Sequence, residues 1–478
     1  MRGDGDIMTR TAVRSWITNV ALLGLGFALL LLSKQLVSEF THYTIGFSGV
    51  AAWSVVVYLI AVAVILTQPT NRYTLGIILA VAALCSVVPL LVPPVMSSDV
   101  YRYVWDGLVQ HAGISPYRYI PADPALTFLQ AAHKELFEHI NRRNYAHTIY
   151  PPGAEILFFL ITWINSSVAF MKIGMVLCEG LTFYALIQIL SLMGVNRDRV
   201  LIFAWCPLLV WEISSSGHID AAVMPFVCLA LLARLRRRDT WTGVFLGLAI
   251  LMKLYPFILL PALYRRGKWK MPAATLAVVA LGYACYANVG LRVFGFLEGY
   301  MKEEGIDSGT RFFLVDLTKH VFRLQYDPVA LFYIFSSLLF AGLVIWCWRT
   351  SNQTSEADKD VSRGRNLLPQ SLCLALAMML LFSPHYAWYV AWLIPFLVLV
   401  PALPVFTYVC GLFYLCVTPY GAGTQQAQYA MNSILYSLVA LAAVLEFLLR
   451  RWPMWRRLAT SVGLHTEPLH KLERGSHI

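Results

Sequence analysis

Apolar runs, mostly about 17–25 residues and so long enough to cross a bilayer as helices, alternate along this chain with short polar segments. They fall near residues 15–36, 49–67, 73–93, 200–216, 219–234, 272–294, 329–347, 367–383, 387–402, 404–419 and 430–449. The pattern predicts an all-α, polytopic transmembrane helical bundle of about 11–13 helices. Two stretches do not fit simple crossings. Residues 150–195 hold two apolar runs where alternation of faces allows one net crossing. Residues 241–263 are apolar but have basic clusters on both sides, so the chain is expected to dip in and return around Lys253-Leu254-Tyr255-Pro256. Non-helical backbone at membrane depth is tolerated only under cover of protein or beside a cavity. A re-entrant element near a binding site meets that condition.

Composition agrees with this. Only 13% of the 478 residues are charged, against about 25% in soluble domains. The net charge of +11 does not imply nucleic acid, because its cations sit between apolar runs. Arg234, Arg236, Arg237 and Arg238 form one cluster, Arg265, Arg266, Lys268 and Lys270 a second, and Arg450, Arg451, Arg456 and Arg457 a third. That is the positive-inside signature. It assigns residues 1–14, the Ser351–Arg365 linker and the basic tail 450–478 to the cytoplasm, with one membrane domain over 15–449. Two long loops, 95–150 and 295–327, then face outward, as does the hairpin tip Ser214-Ser215-Ser216-Gly217-His218-Ile219-Asp220. The first apolar run lacks a small-residue cleavage site and reads as an uncleaved membrane helix. The 9 cysteines are odd in number and lie in apolar stretches without paired spacing, so they read as small core residues.

The chemistry concentrates at one face. Ser97-Ser98-Asp99-Val100-Tyr101-Arg102-Tyr103-Val104-Trp105-Asp106 opens the first long loop, in which interfacial helices are expected. Asp99 is a candidate general base, a role contributing roughly 10²–10⁴-fold; the bland alternative for Ser97, Ser98 or Asp99 is to cap a short helix. Asp106 is a second acid, or the partner of Arg102. Further along lie Tyr117-Arg118-Tyr119, His133, His139, Arg142, Arg143, Tyr145, His147 and Tyr150. Singly these read as belt residues or lipid-headgroup cations. Together they offer arginine forks for phosphate oxygens and aromatic faces for sugar rings. His218 and Asp220 form a polar floor to the same site or, for Asp220, a helix cap; two groups alone are a weak metal signal. Lys253 sits among apolar neighbours, where a lysine costs about 2.5–3.5 kcal/mol. It needs a partner such as Glu212, Asp220 or a ligand phosphate, unless it snorkels to an interface. Tyr255 follows it, and His385 and Tyr386 repeat the theme at another turn. No phosphate-cradling loop, nucleophile elbow or HExxH occurs.

Asp99-Val100-Tyr101-Arg102-Tyr103, Trp105-Asp106-Gly107, Gly113-Ile114-Ser115-Pro116-Tyr117 and Tyr150-Pro151-Pro152 resemble integral-membrane glycosyltransferases of the C superfamily. Gly217-His218-Ile219-Asp220, Gly247–Pro256 and Ser383-Pro384-His385-Tyr386 extend the match. Within that group the chain is similar to polyprenol-phosphate-mannose-dependent mannosyltransferases. One departure is that two helices precede the one leading to Asp99, where many relatives have a single helix.

The resemblance implies a transferase of an envelope glycan, set in a bacterial inner membrane with its site facing away from the cytoplasm. A hexose, mannose by analogy, would move from polyprenyl phosphate to a lipid, glycan or protein acceptor by a single inverting displacement, with Asp99 as base. Arg102, Tyr103, Asp106, Tyr117, Tyr150, His218, Asp220, Lys253, Tyr255, His385 and Tyr386 would contact substrate. No cofactor is expected, and few acids cluster to hold a divalent ion. A transporter of lipid-linked sugar is the alternative, but it wants polar groups on inverted repeats at mid-membrane. A scaffold binding anionic lipid is a third reading.

Overall fold

A computed structural model describes residues 2–42, 47–94, 96–350, 366–421 and 424–451. The expected Ser351–Arg365 linker and the tail beyond residue 451 lie outside the described residues. Every regular element among the described residues is helical.

Helix α1 (Arg2–His42) packs on α2 (Phe47–Thr67) and α3 (Thr74–Leu90). The chain cannot continue α3 beyond Val92, because Pro93 and Pro94 carry no N–H. Helix α4 (Asp99–His111) follows and lays Tyr103 and Gly107 against α5 (Pro152–Ile164). Between them the long loop folds on its own small core of Trp105, Val109, Leu126, Leu129 and Ile140. Two further short helices, Thr127–Ala132 and Lys134–Glu138, lie within it.

Helices α6 (Val168–Leu192), α7 (Asp220–Leu235), α8 (Asp239–Met252) and α9 (Lys270–Ala284) pack in succession. Contact between α8 and α9 relies on Gly243 and Gly247, a small-xxx-small pair. A Cβ at Gly243 would collide with the Met271 carbonyl oxygen, and one at Gly247 would lie 2.8 Å from Val278 Cβ. The remaining α-helices of six or more residues among the described residues are α10 (Leu297–Glu303), α11 (Phe313–Phe322), α12 (Val329–Thr350), α13 (Leu367–Phe382), α14 (Ile394–Leu399), α15 (Leu403–Cys416) and α16 (Gln425–Arg451).

Among the described residues five helices are long and apolar enough to cross a membrane: Thr11–Ser38 of α1, α2, α6, α12 and α16. They become six if α9 and the segment Ala287–Glu303, bent by 109°, count as one span. Other expected crossings are shorter or broken. The 200–216 run is not one helix but short turns ending in a π-helical segment, Val210–Ser215, since Pro207 removes a ladder donor. The 272–294 run stops as a helix at Ala284, and the chain then turns through Gly290 and Gly295, both with positive φ. Of the two runs in 150–195, only α6 is long enough to cross. In 241–263, α8 ends at Met252, Lys253 is extended (φ −149°, ψ 146°), and a 3-10 turn carries Tyr255–Leu259. The cysteines are free, but Cys285 and Cys373 are exposed rather than in the core.

Candidate active site

Asp99 is the first residue of α4, at the helix end where the backbone dipole favours a carboxylate. It does not act as a cap. Ser97 Oγ accepts the Asp99 N–H at 3.2 Å, while Asp99 Oδ1 accepts a 2.6 Å bond from Asn141 Nδ2. The carboxylate remains partly exposed. Two tyrosines face it: burial, and after it the Asp99 charge, push the Tyr103 and Tyr150 hydroxyls well above their usual range. Both therefore stay protonated. Their rings meet edge to face with centroids 5.0 Å apart, and the Tyr103 hydroxyl accepts from the Ile219 N–H at 3.4 Å. Tyr103, which lies within reach of the Asp99 charge, is thereby tied to the hairpin tip 214–220.

Gly217 at that tip has φ +73°, a conformation open to glycine at little strain. The turn sets His218 against Trp388 (centroids 4.2 Å apart, nearly parallel), and Trp388 stacks in turn on Tyr386 at 4.4 Å. His218 Nε2 lies 3.3 Å from Glu212 Oε2, both residues being fully buried. Asp220 is also fully buried; it accepts from Lys253 Nζ at 2.7 Å and from the Tyr255 hydroxyl at 3.0 Å. The extended backbone at Lys253 breaks α8 so that its side chain turns to Asp220.

Tyr389 joins these groups to the second long loop. Lys253 Nζ and the Arg311 guanidinium lie 5.2 and 5.8 Å from its ring centroid, within cation–π range. Its hydroxyl bonds that of Tyr300, and Arg142 lies 5.9 Å from the Tyr300 ring. Arg142 also donates to Glu303 Oε2 at 2.7 Å. Arg311 pairs with Glu304 and donates to His385 Nδ1 at 2.8 Å. Burial, reinforced by Arg311, lowers His385 to about 3, so its ring is neutral.

The structure thus brings Tyr103, Tyr150, His218, Asp220, Lys253, Tyr255, His385 and Tyr386 into one linked set of contacts, with the Asp99 charge near enough to act on Tyr103, Tyr150 and Tyr386. It does not bring Arg102, Asp106 and Tyr117 there. Arg102 Nε lies 2.8 Å from both Asp106 oxygens and Nη1 donates to Ala146 O at 3.1 Å, with both residues buried. The Tyr117 hydroxyl donates to Tyr150 O at 2.7 Å, and its ring meets Tyr286. These three brace α4 against residues 146–150 in place of the expected substrate contact. Glu155, absent from the sequence candidates, joins this brace by accepting from Thr148 Oγ1 at 2.6 Å.

Asn141, Tyr300, Glu303, Glu304, Arg311, Trp388 and Tyr389 are also additions from the structure. For Trp388 and Tyr389 the signal is adjacency to His385-Tyr386; for Arg311 and its acids it is charge in a loop of a membrane chain. Among the described residues no group of three or more His, Cys, Asp or Glu side chains could hold a metal ion.

No curated protein and no solved structure matches the chain significantly. The glycosyltransferase family 87 model matches residues 148–384, from the end of the first loop to the Ser383-Pro384 turn. The model of the alpha-(1->6)-mannopyranosyltransferase N-terminal domain matches residues 14–265, which carry Asp99, the hairpin tip and Lys253. That match spans just over half of the chain, and with this helical membrane architecture it places the protein in the alpha-(1->6)-mannopyranosyltransferase family of membrane glycosyltransferases.

Proposed function

We propose that the protein transfers a mannosyl group from a polyprenyl-phosphate donor to a hydroxyl of a lipid, glycan or protein acceptor on the extracytoplasmic face, as a bacterial inner-membrane enzyme. The observation that carries this reading is the half-buried Asp99, held by Asn141 and acting by its charge on Tyr103, which bonds the turn bearing His218 and Asp220. In the proposed step Asp99 takes the acceptor hydroxyl proton as that oxygen attacks the anomeric carbon. The bond from this carbon to the phosphate oxygen breaks, and polyprenyl phosphate leaves with the electron pair. Phosphate is a stable leaving group and needs no proton. Lys253, with its side chain 17% exposed, supports the growing negative charge. The exposed Tyr386 ring, backed by Trp388, offers an aromatic surface for the sugar.

The family name adds a stereochemical constraint. A single displacement inverts the anomeric carbon, so an α-(1→6) product requires a β-linked donor. Purified protein in liposomes, supplied with β-mannosyl polyprenyl phosphate and an α-mannoside acceptor, should release polyprenyl phosphate in step with an α-(1→6)-linked product. Movement of donor across the vesicle wall without that release would favour the transporter reading and refute this one.

A further inference from the structure

Three main-chain carbonyls just ahead of Asp99 have lost their helical partners. Pro89 O and Leu90 O would bond the N–H groups of residues 93 and 94, and both of these are prolines. Val92 O would bond the N–H of Met96, which instead donates to Ser216 Oγ at 3.2 Å. All three carbonyls turn to one side chain. Lys172 Nζ donates to Pro89 O at 2.7 Å, to Leu90 O at 3.4 Å and to Val92 O at 2.7 Å. An ammonium has three donors, and here each has one acceptor. Lys172 is fully buried on α6, so its charge sits against the negative end of the α3 dipole.

Its aliphatic stem has a second contact. A Cβ placed on Gly217 would lie 3.0 Å from Lys172 Cγ and 3.1 Å from Val100 Cγ2. The stem therefore lies against the tip that carries His218 and Asp220, at the point where Val100 of the first turn of α4 also meets it. One residue meets both halves of the site without reaching either Asp99 or Lys253.

We propose that Lys172 is a positioning residue for the transfer step: by capping the proline-broken end of α3 it fixes the α3–α4 junction, and with it Asp99, against the 217–220 tip. The inference rests on Asp99 acting as base. Displacement of a reacting group by about 1 Å costs on the order of 10²-fold in rate, and that loss belongs to kcat, since Lys172 touches no substrate.

The test uses full-length protein and four variants: Lys172→Met, Pro93→Ala/Pro94→Ala, the triple combination, and Asp99→Asn. Lys172→Met is expected to lower kcat on the order of 10²-fold with donor KM little changed. The two alanines restore N–H donors to Pro89 O and Leu90 O, so the triple variant should recover most of the lost kcat. A folded Lys172→Met protein with wild-type kcat overturns the inference. So does a triple variant no better than Lys172→Met; where Lys172→Met alone fails to fold, a folded triple variant whose kcat stays on the order of 10²-fold below that of Pro93→Ala/Pro94→Ala overturns it. Full activity in Asp99→Asn instead removes the base. Its inactivity beside a fully active Lys172→Met leaves the base standing and sinks only the role of Lys172.

Discussion

Asn141 and Asp99, forty-two positions apart, meet through a 2.6 Å hydrogen bond from amide to carboxylate. The amide holds one carboxylate oxygen, and the other is left for an incoming proton. Asp99→Asn should therefore lower turnover by about 10²–10⁴-fold while leaving the folded protein intact. Asn141→Leu leaves the base but frees its rotamer, and a loss of roughly tenfold or more in kcat is expected. Turnover of both variants, alongside thermal unfolding in detergent, checks this.

Lys253 and Asp220 form an ion pair whose acid is wholly enclosed. Removing one partner of a buried pair typically costs about 3–5 kcal/mol, because a charge is left uncompensated. Lys253→Met should therefore destabilise strongly. Asp220→Asn should cost less, since the Tyr255 hydroxyl can still bond the amide oxygen and the lysine is partly open to solvent. The double variant should be more stable than the sum of the singles requires. Unfolding midpoints of the four proteins complete the cycle; strict additivity would deny that the pair is coupled.

His385 gives a pH signature with a definite sign. Its folded value is held near 3, against an ordinary value of 6.5, by burial and by Arg311. Between these limits the unfolded chain binds a proton that the folded chain refuses. Stability from this group is complete above about pH 6.5 and is lost as pH falls toward 3. His385→Gln should flatten the decline of the unfolding midpoint between pH 7 and 5. An unchanged slope would contradict a buried neutral imidazole.

Gly107 allows α4 to lie close on α5. A Cβ there would collide with Thr162 Oγ1 and sit 2.9 Å from Phe158 O. Gly107→Ala should cost about 1–3 kcal/mol by overpacking, and Thr162→Ala in the same chain should return part of it. Unfolding midpoints of the single and double variants measure both effects.

The helical membrane class is legible in the sequence because apolar runs report which segments avoid water. They do not report hydrogen bonding, and so the breaks in 200–216 and 272–294 escape notice. The break at Lys253 is legible because a lysine and a proline interrupt one apolar run. A lysine there demands a counter-charge, and of Glu212, Asp220 and a ligand phosphate the folded chain supplies Asp220. The Arg102–Asp106 pairing is also readable, from helical spacing. Contacts such as Asp99–Asn141, Tyr300–Tyr389 and Arg311–His385 are not. Each spans 42 to 89 positions between loops, where no periodicity relates the partners.

The shortness of α8 has a consequence for how a lipid substrate reaches this protein. Its 14 residues rise about 21 Å, well short of a hydrocarbon layer of about 30 Å. With the basic cluster Arg236–Arg238 at one membrane face, a helix of this length would stop before the other face and leave Lys253 recessed below it. In the proposed reaction, a polyprenyl chain would bring its phosphate to this ammonium while its tail stays in the acyl region. On that proposal the membrane itself would be the entrance, and only the water-soluble end of the acceptor would need to approach from above.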